Sequence, residues 1–250
     1  MDHLPQELID EIIDRLPLDH MTICSIVART WRRRSQQRHF ESIWFDEEDD
    51  IDCWNAKISQ NPEGIPSYVH SVRFMDLKRR EKVAVLNRIL QYFVNLRSLN
   101  LIRVDLSLLC ESRGPSSFGS FGSGVTKLVI NDPLCGCRSF VSLILSFPNL
   151  ETLVLFKTKP IGRPQFPSSN IQKRVLEQLI LYGAGPEVTE VLAQCSLSFR
   201  AITIKRLFEE PPSEHLAALL AASSKDVKTV TLRGTFSQLS ICHRNSNKCS

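Results

Sequence analysis

Cys135 and Cys137 are the tightest pair of side chains able to hold a metal, but their spacing is C-x-C and no second pair lies nearby to complete a zinc site. The eight cysteines stand at 24, 53, 110, 135, 137, 195, 242 and 249, scattered rather than densely spaced. They read as loop or core thiols in a reducing intracellular setting, cytoplasmic or nuclear, and not as a secreted disulfide scaffold. The six histidines are widely separated, and His215, on an alanine-rich segment, reads as structural. No H-E-x-x-H, G-x-S-x-G or dinucleotide glycine pattern occurs, and the Gly- and Ser-rich stretch 112–124 lacks the Gly-Lys-Ser/Thr ending of a phosphate loop. The expectation is a protein without catalytic residues, metal or cofactor, whose chemistry is recognition.

Charge narrows the class of partner. Arg29, Arg32, Arg33, Arg34 and Arg38 cluster within ten positions, and the acidic run Asp46, Glu47, Glu48, Asp49 and Asp50 follows closely enough to cancel part of their field. The cluster reads as a solvated helix face, with contact to an acidic partner surface, a nuclear-import signal or a nucleic-acid patch as alternatives. The 31 Lys plus Arg against 27 Asp plus Glu leave a formal charge of +4, too little to select nucleic acid without a localised patch. The longest nearly apolar stretches, 140–147 and 216–222, fall short of the roughly 18 residues that span a bilayer. Neither a nucleic acid nor a membrane is an expected partner. With 42% hydrophobic and 23% charged residues, most of the chain should fold.

The elements that would position a binding surface begin at Leu4-Pro5-Gln6-Glu7. Proline suits the first helical turn, and Glu7 sits where the helix dipole favours an anion. Leu8, Ile9, Ile12, Ile13 and Leu16 follow as a wide apolar stripe, and Pro17 ends the helix. Asp19 is a credible cap for a second helix carrying Ile23, Cys24, Ile26 and Val27, and a third should carry Trp31 and the arginines. Phe40, Ile43, Trp44 and Phe45 close the segment. Three short helices in about 40 residues are too few to bury all this surface by themselves, so part of it must pack on another protein or on the rest of the chain.

The run L-P-Q-E-L-I-D-E-I-I-D-R-L-P, then S-I-V-A-R-T-W-R-R-R, then H-F-E-S-I-W-F resembles an F-box across residues 4 to about 45. The family's Leu-Pro opening matches Leu4 and Pro5, its acidic residue and leucine match Glu7 and Leu8, and its helix-ending Leu-Pro matches Leu16 and Pro17. Its central valine and tryptophan match Val27 and Trp31; Ala28 stands where many members have cysteine. The resemblance implies a trihelical module that interlocks with the Skp-type adaptor of a cullin–RING ubiquitin ligase. The adaptor-binding residues it implies are Leu4, Pro5, Glu7, Leu8, Ile12, Leu16, Pro17, Ile23, Val27 and Trp31.

From Val69 a second signal takes over: apolar-x-x-apolar-x-apolar, the strand phrase of leucine-rich repeats. It occurs seven times, with middle residues Val72, Leu99, Leu128, Leu153, Leu179, Ile202 and Val230, at intervals of 23 to 29 residues. Helix-like segments lie between (81–94, 139–147, 187–196, 213–222). The expected fold class is therefore α/β: a small trihelical F-box followed by a leucine-rich-repeat-like solenoid with a curved parallel sheet. The repeats are degenerate. Three residues after the last apolar position, where such repeats carry Asn or Cys, this chain has Leu77, Val104, Pro133, Thr158, Ala184, Leu207 and Thr235, so the turns must find other hydrogen-bond partners. The expected organisation is 1–45 F-box, 46–64 acidic or polar linker, 65–236 repeats and 237–250 polar tail. That tail stands where a solenoid needs a cap, so either the sequence is truncated or the tail is disordered. Segments 112–124 and 157–170 read as excursions at the solenoid edge.

Strand alternation turns the residues one and three after each middle position away from the core. The candidate substrate-binding residues on that face are Arg73, Ile102, Val129, Val154, Phe156, Ile180, Tyr182, Lys205 and Arg233. The face is apolar and aromatic at its centre and basic at its ends, suited to an apolar segment flanked by acidic or phosphorylated groups. The alternative is that helices or loops fold over it as a second core layer. The function expected is substrate recognition for a Skp–cullin–F-box ligase; the alternative is a non-ubiquitin F-box scaffold for protein–protein interaction.

Overall fold

The computed structural model describes residues 4–46, 48–61, 64–111, 122–162, 174–195, 197–205 and 214–233. Three helices open the chain: α1 (Gln6–Arg15), α2 (Met21–Val27) and α3 (Arg29–Phe40). Pro17 and the extended Ala28 separate them, because neither continues a helix in its observed conformation. Their core is small: Ile9, Ile13 and Met21, with Leu16 and Trp31 packed against it.

Eight strands follow in one sheet, each parallel to the next and in strict chain order. They are β1 (Ser42–Phe45), β2 (Ser71–Met75), β3 (Ser98–Ile102), β4 (Lys127–Asn131), β5 (Thr152–Phe156), β6 (Arg174–Tyr182), β7 (Leu197–Lys205) and β8 (Thr229–Arg233). The helices α4 (Glu48–Gln60), α5 (Arg80–Leu90), α6 (Leu106–Glu111), α7 (Cys137–Leu145), α8 (Pro186–Gln194) and α9 (Glu214–Ser223) alternate with them. This is an open, solenoid-like arrangement in which each repeat buries its apolar face against its neighbours.

The register aligns the seven middle residues into one row, Val72 with Leu99, Leu128, Leu153, Leu179, Ile202 and Val230, and Ile43 of β1 extends it. From Ile43 to Ile202 this row is buried, together with its partners two residues on, in one cluster with Val83, Leu86 and Ile89 of α5 and Leu143 and Ile144 of α7. Asn95 Nδ2 donates to the Ser67 carbonyl at 2.7 Å and Asn149 Nδ2 to that of Ser123 at 2.8 Å, tying each helix-to-strand loop to the repeat before it.

Two expectations change here. The segment 46–64 contains α4 where a polar linker was expected. Ile51, Trp54 and Ile58 recur at helical spacing directly after the acidic run; Ile51 and Ile58 are buried, and Trp54 meets Phe40 and Phe45 edge-on at 6.1 Å. Lys82 of α5 pairs with Asp52 of α4 at 2.5 Å. The module of three helices also runs directly into the sheet, with Phe45 stacked on Phe74 at 4.7 Å and α3 lying against the turn Ile65–Tyr68.

The degenerate turns are satisfied by one another. Asp105 N donates to the Leu77 carbonyl, Leu134 N to Val104 and Gly185 N to Thr158, each at 3.2 Å, while Leu77, Val104 and Thr158 are themselves buried. Backbone from the neighbouring turn thus replaces the missing Asn. Leu207, Thr235, the tail 237–250, most of 112–124, residues 163–170 and the side chain of His215 lie outside the described residues.

Candidate functional site: two interaction surfaces

On α1 the apolar stripe divides. Ile9 and Ile13 point inward, while Leu4, Leu8 and Ile12 remain exposed on the other side. On α2, Met21 and Cys24 are buried, whereas Ile23, Ile26 and Val27 are exposed, Ile26 to 73%. With Leu18 between the helices, seven large apolar side chains are left exposed on a module whose own core, among the described residues, is Ile9, Ile13 and Met21. Such a density marks an interaction surface, since single exposed apolar residues are ordinary and a cluster is not. Of the residues expected there, Leu4, Pro5, Glu7, Leu8, Ile12, Pro17, Ile23 and Val27 are exposed. Leu16 and Trp31 instead pack on the small core, because the helix ends must close it. Leu18 and Ile26 are additions, legible in the sequence as the remaining apolar positions between Pro17 and Val27.

Part of the arginine cluster is structural rather than merely solvated. Arg34 grips Asp14 with both nitrogens, Nε to Oδ1 at 2.7 Å and Nη2 to Oδ2 at 2.5 Å, so α3 holds α1 through a two-pronged ion pair. That hydrogen bond from Arg34 holds the Asp14 carboxyl below its ordinary range. Arg38 donates to the carbonyls of Ile13 and Leu16, the latter at 2.9 Å, and so caps the C-terminus of α1. Arg32 reaches the Ser25 carbonyl at 3.2 Å. Arg29 and Arg33 are exposed.

The second surface is the face of the sheet opposite the helices. Phe156 and Tyr182 stack at 4.1 Å with 9° between their planes. Lys205 Nζ lies 4.6 Å from the Tyr182 ring centre and donates to its hydroxyl at 2.7 Å. All three side chains are half-buried, as are Arg73, Ile102, Val129 and Ile180, while Arg233 is exposed. Val154 is buried, since Val129 and Ile180 pair on either side of it in register; it forms the floor of this face rather than a contact point. At the other end the Arg73 guanidinium lies over the Trp44 ring at 5.3 Å, and Trp44 is 61% exposed. Trp44 was not expected here. The signal was in the sequence: Phe40-x-x-Ile43-x-Phe45 repeats the strand phrase 29 residues before Val72.

Among the described residues, the buried cysteines take no part in either surface. Burial pushes the Cys135 and Cys195 thiols up to about 12, and Cys137 upward as well, which keeps them protonated and unreactive at neutral pH. Among the described residues, no three His, Cys, Asp or Glu side chains are placed to share a metal ion, and no helix is long and apolar enough to cross a membrane.

Comparison with known proteins adds two findings. Residues 1–42 match the F-box domain. An Arabidopsis thaliana protein named as an F-box protein is 25% identical over 172 residues, covering 65% of this chain and 43% of that protein. The chain thus spans less than half the length of this relative.

Proposed function

From an F-box at residues 1–42 leading into an eight-stranded parallel sheet, we propose that this chain is a non-enzymatic substrate-recognition adaptor of a Skp–cullin–F-box ubiquitin ligase. The F-box docks on the Skp-type adaptor, and the leucine-rich-repeat-like region presents the sheet face opposite its helices to a protein substrate. The observation that carries this reading is the set of seven exposed apolar side chains on α1, α2, the turn between them and Leu4 just before α1. Covering one Leu or Ile completely is worth roughly 1.5–3 kcal/mol, so several together offset an association cost of roughly 4–15 kcal/mol. Helix packing into an apolar groove is the corresponding mode of recognition.

Co-expression with a Skp-type adaptor and a cullin tests the proposal. Recovery of both on this chain is the expected result. Recovery of the adaptor without the cullin supports the scaffold alternative instead, and recovery of neither overturns the reading of the F-box surface.

A further inference from the structure

We propose that the sheet face opposite the helices is a two-anchor cradle for an unmodified acidic protein segment lying extended across the strands, with two carboxylates about six residues apart. The inference rests on the reading above that this face takes the substrate, and it names the class of substrate. Three in-register rows make up the face: the row from Ser71 to Thr229, the row from Arg73 to Thr231, and the row from Met75 to Arg233. They contain Arg73, Lys127, Lys205 and Arg233 and no Asp or Glu. Glu177 lies beside them but is neutralised by Arg200. A face with only cations on an apolar floor is complementary to a segment carrying carboxylates and apolar side chains.

Each anchor is an aromatic ring with a cation on it, and each keeps donors to spare. Lys205 spends one N–H on the Tyr182 hydroxyl, which accepts it; the phenolic O–H and two ammonium protons remain to converge on one carboxylate. At Trp44 the Arg73 guanidinium lies 5.3 Å from the ring centre and donates through Nη2 to Met75 Sδ at 3.9 Å, which leaves the Nη1 hydrogens for a carboxylate, while Nε is buried and without a hydrogen-bond partner among the described residues. The Asn100 Oδ1 beside it in the same row is likewise buried and unpartnered. From Arg73 on β2 to Tyr182 on β6 there are four strand spacings, about 19 Å at about 4.8 Å each. An extended chain rises about 3.3 Å per residue, which gives the spacing of about six.

The test pans a displayed library of random, unmodified twelve-residue peptides against the full chain bound to its Skp-type adaptor. Enriched peptides should carry Asp or Glu at two positions about six apart with an apolar residue between. Binding of an enriched peptide should fall at least tenfold with Arg73→Glu and with Lys205→Glu, and a peptide with Lys at the matching position should regain binding to the reversed variant. Both variants should still bind the adaptor, which reports that the chain is folded and separates failure here from failure of the F-box reading. Enrichment of peptides without acidic residues, binding indifferent to both reversals, or binding only of phosphoserine-containing peptides would each overturn the proposal.

Discussion

Asp76, Arg103, Asp132 and Lys157 each follow a strand directly and each adopt positive φ, between 44° and 56°, with Gly183 taking the same role after β6. Each donates its backbone N–H to the last carbonyl of the following strand, as Arg103 does to Asn131 and Lys157 to Tyr182 at 2.8 Å. The left-handed conformation turns the chain out of the sheet while keeping the ladder bonded. Only the last of these positions carries glycine, so the turn was not legible in the sequence. The charges alternate along the row, and Arg103 grips Asp76, holding that carboxyl below its ordinary range. Lys157→Gly should therefore raise stability by about 0.5–1 kcal/mol, read as a later denaturation midpoint, because glycine removes the Cβ strain. Arg103→Gly should gain less, since it also removes the Asp76 pair. At Asp14 the sign runs with pH. Its folded-state value is depressed by Arg34, so the clasp between α1 and α3 contributes fully above the unfolded carboxylate value near 3.9 and is lost as pH falls through the folded value. Hydrogen exchange of the α1 amides should accelerate over that window in the wild type, and Asp14→Asn should flatten the response; both groups are partly exposed, so the effect is modest.

At the scale of elements, seven strands were legible because a strand phrase with period two and a fixed repeat length leaves one register that buries every middle residue. The eighth strand and α4 were hidden for different reasons. Phe40-x-x-Ile43-x-Phe45 lay inside the stretch that resembles an F-box, and the Ile51–Trp54–Ile58 stripe was masked by the five consecutive acidic residues before it. Together β1 and α4 form an additional repeat that joins the F-box to the sheet. Ile58→Ala should cost about 2–5 kcal/mol, because a fully buried side chain is replaced by a cavity between helix and sheet. Limited proteolysis should spare 48–60 in the wild type and begin to cut there in the Ile58→Ala variant; cutting there first in the wild type would contradict the packing of α4.

Across the whole molecule, apolar surface is distributed unevenly. The sheet and its helices bury a long continuous cluster, whereas the F-box holds its three helices with a few apolar contacts and the Arg32, Arg34 and Arg38 bonds, leaving seven large aliphatic side chains exposed. The sequence showed the stripe on α1 but not which half of it faced inward, since Leu8 and Ile9 differ only in where α3 crosses. Polar clasps between helices free those side chains for a partner, which ties the composition of this module to its proposed use. The most direct measurement is calorimetric titration of purified Skp-type adaptor into this chain and into its Leu8→Asp and Ile12→Asp variants. Binding by the wild type, loss of at least a hundredfold in affinity in each variant, and little change in thermal unfolding are the predicted results, since a charge on a side that is partly exposed costs little until that side is covered. Variants that bind the adaptor as tightly as the wild type would contradict the account.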